Sequence, residues 1–361
     1  MPLWAQFQDL LRDAILIGDL PAGTQLPSED FLGQRYGLSR LTVRRAFQDL
    51  QREGLIRTER GRGSIVDGVA GERVGTGISL IMSQLHHVFH VDLIRGVEKT
   101  VKHAGYHLVT RFSRNDPAEE RRDIVAALRD QDAGVLLFPT VGFENADVLR
   151  SVIDRGLPVT FIDRWYPGLA ADSVSEDNVH GGYLATEHLI GLGHRRIAFL
   201  IGAEQETSAV EERLIGYRRA LADAGLQADP LLAMRVASAG DAEVPIIAPE
   251  ARSALVRVTQ PPHCVTAFVG CHDRVALAAL RALRAAGLRV PQDVAVTGFN
   301  NYAWAATTEV PLTTVAPCPW DELGARAARL TLERLEHPGG EPRREVLPVR
   351  LIVRGSTVVG A

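Results

Sequence analysis

The sequence predicts an α/β chain: a small helix-turn-helix head with a wing, followed by two similar lobes built on parallel sheets. Three observations carry this. Two capped helices meet at a glycine turn between Ser28 and Leu50, an arginine-bearing hairpin follows at 55–66, and short continuous apolar runs alternate with helical stretches over the rest of the 361 residues. Unbroken apolar strands between helices are buried on both faces, the mark of a parallel sheet.

The head comes first. Leu3, Phe7, Leu10, Leu11, Ala14 and Ile15 recur at helical spacing and Gly18 follows them, so a first helix supplies a packing surface. Ser28 caps a short second helix with Phe31, Leu32 and Tyr36 facing inward, and Gly37 stops it. Ser39 caps a third helix with Val43, Ala46, Phe47 and Leu50 inward. Two capped helices about a glycine turn form a helix-turn-helix, whose second helix offers its N-terminal end to a major groove. That end carries Arg40, Thr42, Arg44 and Arg45, with Arg40 and Arg44 on one face. Leu55-Ile56 and Ile65-Val66 flank a turn bearing Arg60, Gly61 and Arg62, the tip of a wing. Residues 1–67 hold nine arginines against nine acids, yet 35–62 hold eight against three. Charge segregated in this way suits phosphate contact.

Gly68, Gly71, Gly75 and Gly77 make 68–77 a linker. Runs at 78–82, 106–110, 135–138 and 159–162 read as strands, and 90–104 as a helix with Val91, Ile94, Val97 and Val101 inward. After Asp177, strands at 197–201, 266–269 and 294–299 resume the alternation. The expected division is 1–67 for the head, 68–77 for the linker and 78–361 for the lobes. The first lobe takes about 78–173 plus 300–316, the second about 177–298 plus 317–361. The crevice between such lobes, at the carboxyl ends of the strands, is where open α/β sheets bind ligands.

Hydrophobic content of 46% supports a large core. No apolar run approaches the roughly 18 residues of a membrane span, and no basic-then-apolar signal segment opens the chain. Cys264, Cys271 and Cys318 form neither an even set nor a CxxC pair, so reduced thiols and a cytoplasmic location are expected.

The head's motifs Leu26-Pro27-Ser28-Glu29, Ser39-Arg40-Leu41-Thr42-Val43-Arg44, Glu53-Gly54-Leu55-Ile56 and Gly61-Arg62-Gly63 resemble the GntR-type winged helix-turn-helix. The resemblance implies double-stranded operator DNA as partner. It assigns base or phosphate contact to Arg40 and Arg44, phosphate contact to Ser39 and Thr42, and minor-groove contact to Gly61. Ser28, Arg60 and Arg62 join this DNA-facing set. Many members carry a basic residue after Leu-Pro-Ser-Glu where this chain has Asp30, and Arg35 or Arg45 is expected to replace that contact.

Residues 78–361 resemble the sensor of the LacI/GalR regulators, which shares its fold with periplasmic sugar-binding proteins. Asp177-Asn178 with Gly181-Gly182, the runs 188–198, 213–221, 273–280 and 290–301, and Leu312-Thr313-Thr314-Val315 carry the likeness. The resemblance implies a homodimeric repressor responding to a small polar effector, a sugar or sugar derivative, with a nucleoside or other metabolite as the alternative. Its ligand positions fall on Arg213, Asp273 and Asp163, a cationic fork and carboxylates suited to vicinal hydroxyls. Trp165 offers a stacking face. His86, His87, Phe89 and His90 occupy the first strand-to-helix loop, and Asn301 and Trp304 lie near a hinge crossing. The asparagine usual before the carboxylate is His272 here. Effector-driven closure would change the spacing of two heads through the linker.

Other classes lack their residues. GntR-type chains fused to an aminotransferase need a Schiff-base lysine, and the only lysines, Lys99 and Lys102, lie together on one helical stretch. No nucleophile elbow, P-loop or dinucleotide fingerprint occurs. His86 and His90 lack a thiolate or carboxylate to complete a metal set, so no metal or other cofactor is expected. A periplasmic receptor would carry no DNA head.

Overall fold

The computed structural model describes residues 3–59, 61–67, 75–83, 88–202, 207–236, 238–239 and 246–358. The head consists of α1 (Leu3–Ile17), α2 (Glu29–Tyr36), α3 (Arg40–Arg52) and a hairpin of β1 (Ile56–Glu59) and β2 (Gly63–Val66). Ser28 Oγ accepts from Phe31 N and Ser39 Oγ from Thr42 N, so both helices start where a hydroxyl satisfies an orphan amide. Gly37, at φ 66°, ends α2. Val43, Ala46, Phe47 and Leu50 pack with Phe7, Leu11, Ile15 and Leu32. Phe31, Tyr36 and Leu10, expected inward, are instead about half exposed. Gly33 approaches the Leu38 carbonyl so closely that a Cβ would lie 2.8 Å from it. That contact makes Leu32 and Gly33 the inward positions of an eight-residue helix and turns Phe31 out.

The first lobe contains β3 (Gly77–Met82), α4 (Val88–His103), β4 (His107–Phe112), α5 (Pro117–Arg129), β5 (Gly134–Phe138), α6 (Ala146–Asp154), β6 (Val159–Ile162) and β7 (Asp172–Glu176). The chain then crosses to the second lobe. There follow α7 (Asn178–Gly191), β8 (Ile197–Gly202), α8 (Ser208–Asp223), β9 (Ala233–Val236), the short pair β10 (Ser238–Ala239) and β11 (Ile246–Ile247), α9 (Pro249–Val258), β12 (Ala267–Gly270), α10 (Asp273–Ala285), β13 (Ala295–Phe299) and β14 (Thr313–Ala316). It crosses back for α11 (Trp320–Glu336) and β15 (Arg344–Leu347), then returns for β16 (Arg350–Ile352). The sheets run β15-β7-β6-β5-β3-β4, all parallel, and β16-β14-β13-β12-β8-β9, parallel except for β14 with β16.

This topology corrects the expected division of the third segment. Residues 313–316 belong to the second sheet, whereas 320–336 and 344–347 belong to the first lobe. Strand partners are chosen across the whole chain, which local pattern does not register. Val91 is also a correction, being 49% exposed while Leu93, Val97 and Val101 are buried. The cause is the crossing of α4 on α11, where Gly324 lies against the Leu93 carbonyl and Gly96 against that of Asp321.

In the second lobe α7 and α8 touch backbone to backbone. A Cβ on Gly216 would lie 1.9 Å from the Val179 carbonyl, and one on Gly182 2.1 Å from that of Arg213. Gly216→Ala must push the helices apart, and overpacking of this kind costs about 1–3 kcal/mol. A lower urea midpoint at unchanged slope is the expected result, and an unchanged midpoint would contradict the close crossing.

Candidate DNA-reading head and effector cleft

At the start of α3, Arg40 and Arg44 stand exposed on one face, both paired with Glu29. Arg44 Nη2 lies 2.9 Å and Arg40 Nε 3.2 Å from Glu29 Oε2, and Arg40 also reaches Asp30 at 3.5 Å. Hydrogen bonds from Arg44 first, then Arg40, hold Glu29 below the ordinary carboxylate range against the opposing effect of burial. Ser39 Oγ lies 2.8 Å from Thr42 Oγ1 beside them. Arg45 turns elsewhere, its guanidinium 4.1 Å from the centre of the Trp4 ring, because successive helical residues lie on different faces. Arg35 is exposed at the end of α2. At the wing, Gly61 adopts φ 87° and the exposed Arg62 pairs with Glu59 at 3.0 Å. Arg60 lies outside the described residues.

The second candidate site forms where the first lobe's strand ends meet α8 and α10. Arg213 is 5% exposed. Its Nε donates to Asn178 Oδ1 at 2.8 Å, its Nη1 donates to the Cys271 carbonyl at 2.7 Å, and it stacks 3.6 Å from the centre of Phe299. Glu176 stands 4.0 Å from it, at the end of β7. Burial, and then the charge of Asp163, raise Glu176 well above the ordinary carboxylate range, with Arg213 opposing. The Glu176 carboxyl is buried beside that of Asp163, and Asn300 Oδ1 and Trp165 Nε1 are buried without a hydrogen-bond partner.

Asp163, at φ 67°, follows β6 and faces Arg164 Nε at 3.4 Å. Trp165 spans the lobes, its backbone N–H donating to Ser208 Oγ at 3.0 Å. Arg344 of β15 lies 5.0 Å from the centre of the Trp165 ring and pairs with Glu212 of α8. Asp273 is fully covered, accepting from Thr314 Oγ1 at 2.5 Å and Tyr302 N at 2.9 Å. Burial raises its carboxyl to about 7. His272 caps α10, its side chain accepting from Val275 N. Asn301 Oδ1 accepts from Arg354 Nη2 at 2.7 Å. His90 is buried edge-on to Phe138 at 5.9 Å, away from solvent. His86 and His87, and the Phe89 side chain, lie outside the described residues. Beside the hinge, Asn300, Asn301, Trp304, Cys318 and Trp320 line a crevice of about 670 Å³.

The structure thus brings Asp163, Trp165 and Arg213 to the interlobe boundary and places Asp273 beneath it as a support for the Tyr302 backbone. Sequence reasoning missed Glu176, Asn178 and Asn300 as members. Their signal was positional: each sits at or next to the end of a strand that feeds the crevice.

Residues 4–66 match the bacterial regulatory proteins of the gntR family, and residues 186–357 match the periplasmic binding protein-like domain. The arabinose metabolism transcriptional repressor of Geobacillus stearothermophilus is 29% identical over 99% of this chain and 98% of its own. The ribose operon repressor of Haemophilus influenzae is 30% identical over 77% of this chain and 80% of its own. The chain belongs to the LacI/GntR-type transcriptional repressors. A solved complex of the transcriptional regulator CelR with cellobiose is 28% identical, covers 92% of this chain and all of its own, and superposes with a TM-score of 0.66.

In this repressor family member, no helix among the described residues is long and apolar enough to cross a membrane. Asp273 gives the sensor a distinctive pH dependence. A carboxyl whose folded value lies above its unfolded one binds its proton more tightly in the native state, so stability falls as pH rises from about 4 towards 7 and levels above it. Asp273→Asn removes that slope. The variant is expected to gain on the native protein in unfolding midpoint between pH 5 and pH 8, and a constant difference would show an already ionised carboxylate.

Proposed function

We propose that the chain is a cytoplasmic, homodimeric repressor rather than an enzyme, binding operator DNA through Arg40, Arg44 and the wing and releasing or gripping it when a neutral, hydroxyl-rich ligand closes the two lobes. One observation carries the ligand class. At the interlobe boundary Asn300 Oδ1, an acceptor, and the Trp165 indole N–H, a donor, are buried without protein partners, beside the adjoining Glu176 and Asp163 carboxyls. Arg213 commits Nε to Asn178 and Nη1 to the Cys271 carbonyl, while Arg164 donates to the Pro139 carbonyl and faces Asp163. Unsatisfied buried acceptors are costly, and sugar hydroxyls satisfy them. A phosphate or uronate placed there would face Glu176 and Asp163, the carboxyls that Arg213 and Arg164 already face. Arabinose and ribose in the names of the relatives, and cellobiose in the CelR complex, agree with a neutral sugar.

A thermal-shift series with L-arabinose, D-ribose, cellobiose, glucuronate and ribose 5-phosphate tests this reading. A neutral sugar at 100 times its dissociation constant adds about 2.7 kcal/mol of stability, and stabilisation by the charged compounds alone would overturn it. For the head, Arg44→Ala is expected to weaken operator binding roughly ten- to hundred-fold in a fluorescence-anisotropy titration, as loss of one base-reading fork does. Stabilisation by the sugar should not change, and loss of both would indicate a folding defect.

A further inference from the structure

The head is seated on the first lobe by contacts that the linker does not supply. Helix α1 lies against α5 and α6. The last carbonyl of α1, on Ile17, accepts from Ser151 Oγ of α6. The next residue, Gly18, turns at φ 92°, and the Arg155 guanidinium lies so near that a Cβ on Gly18 would meet its Nη2 at 2.6 Å. The last turn of α1 has no basic residue of its own. A helix C-terminus carries partial negative charge and unsatisfied carbonyls, so the first lobe supplies both the hydroxyl donor and the cation that this end lacks.

Apolar contacts cross in both directions. Ile17 packs on the cluster of the first lobe built from Ile124, Val148 and Val152, and Leu128 packs on that cluster and on the head core alike. Asp13 on α1 is half buried, its Oδ1 without a hydrogen bond, and the strongest opposing charge acting on it is Arg129 of α5, ahead of its neighbour Arg12. With Gly75 already against the Gln131 carbonyl and Gly77 in β3, a seven-residue stretch such as 68–74, as a free glycine-rich coil, would spread its ends over about 15 Å. Ångström-scale shifts of a lobe would be lost in that spread.

We propose that the first lobe carries the head as one body through this seat of Ser151, Arg155, Leu128 and Arg129, and that effector-driven motion of the lobe reaches the recognition helix through the seat rather than through the linker. The inference about signalling rests on the regulatory reading above; the seat itself does not. None of its residues is among the DNA-facing or cleft residues named above, and only Leu128 reaches the head core that includes Val43, Ala46, Phe47 and Leu50 of α3.

Hydrogen exchange on the full-length protein tests it without any ligand. Leu128→Asp is expected to speed exchange across α1 and α3 at least tenfold while β3 and β5 keep their native rates. Because Leu128 also packs within its own lobe, Arg129→Glu is the second variant, with an expected two- to fivefold effect on the head that Asp13→Arg added to it reverses. Native exchange of the head in both single variants would overturn the seat. In the signalling arm, operator affinity is measured with and without L-arabinose, D-ribose or cellobiose. Where a sugar changes native affinity by several-fold, Arg129→Glu should bring that ratio towards one and the charge swap should restore it; a ratio kept in Arg129→Glu would return signalling to the linker. A native protein unmoved by all three sugars would count against the ligand reading and leave the seat to the exchange result.

Discussion

The sensor is organised around one buried guanidinium. Taking a charge out of water costs several kcal/mol unless its donors and its field are fully engaged. Arg213 answers that demand in part, with Nε on Asn178 from the first crossing, Nη1 on the Cys271 carbonyl at the end of β12, the ring of Phe299 from β13 beneath it and the Glu176 carboxyl of the first lobe 4.0 Å away. Both lobes and one hinge segment therefore converge on a single side chain. Arg213 reaches that point only because α8 lies directly on α7, and the helices approach so closely only because Gly182 and Gly216 present no side chains there. The glycine pair, the Asp177-Asn178 start of α7 and Arg213, which look like separate motifs in the sequence, express one constraint.

The same convergence explains the group facing Arg213. Arg213 faces Glu176 and Arg164 faces Asp163, yet burial and the neighbouring Asp163 still raise the Glu176 carboxyl, so a proton or a ligand hydroxyl relieves it. A polyol is a natural complement, being able to donate to several oxygens without bringing charge. Asp273 plays a different part. Held between Thr314 and the Tyr302 backbone, it fixes the loop after β13 in which Asn300 and Asn301 take positive φ values of 99° and 49°. The loop's strained backbone is thus over-determined from below.

Legibility in the sequence followed the range of the interactions involved. Caps at Ser28 and Ser39, the glycine stop at Gly37 and the apolar strands of both lobes are local signals, and the head and most strands were readable from them. β7 was not, because Asp-Ser-Val-Ser-Glu looks polar; it is buried since Arg334 and Arg343 engage Asp172. Lobe membership after residue 300 was misread because the chain changes sheet twice more and only strand pairing shows where. In the cleft, Arg213 came from the family resemblance rather than from a local signal, and a glutamate next to Asp177 carries no local mark of complete burial. His90 shows the converse: its place in a cleft-forming segment suggested contact, and packing against Phe138 buried it.

Orientation, more than proximity, governs what the head can do. The chain as a whole carries a net charge of −4, so it gains little long-range attraction to DNA, and the favourable field is confined to the face bearing Arg40, Arg44 and the wing. On that face the two arginines are already held by Glu29. Binding must exchange a carboxylate for phosphate and base acceptors, a near-balanced trade that succeeds only if several contacts form together in register. A head rotated away from that register offers Glu29 and Asp30 to the backbone instead. Under those conditions a coupling of roughly 1–3 kcal/mol between lobe closure and head orientation changes operator occupancy by a large factor. A stiff mounting for the head is worth more to such a regulator than a stronger grip on DNA.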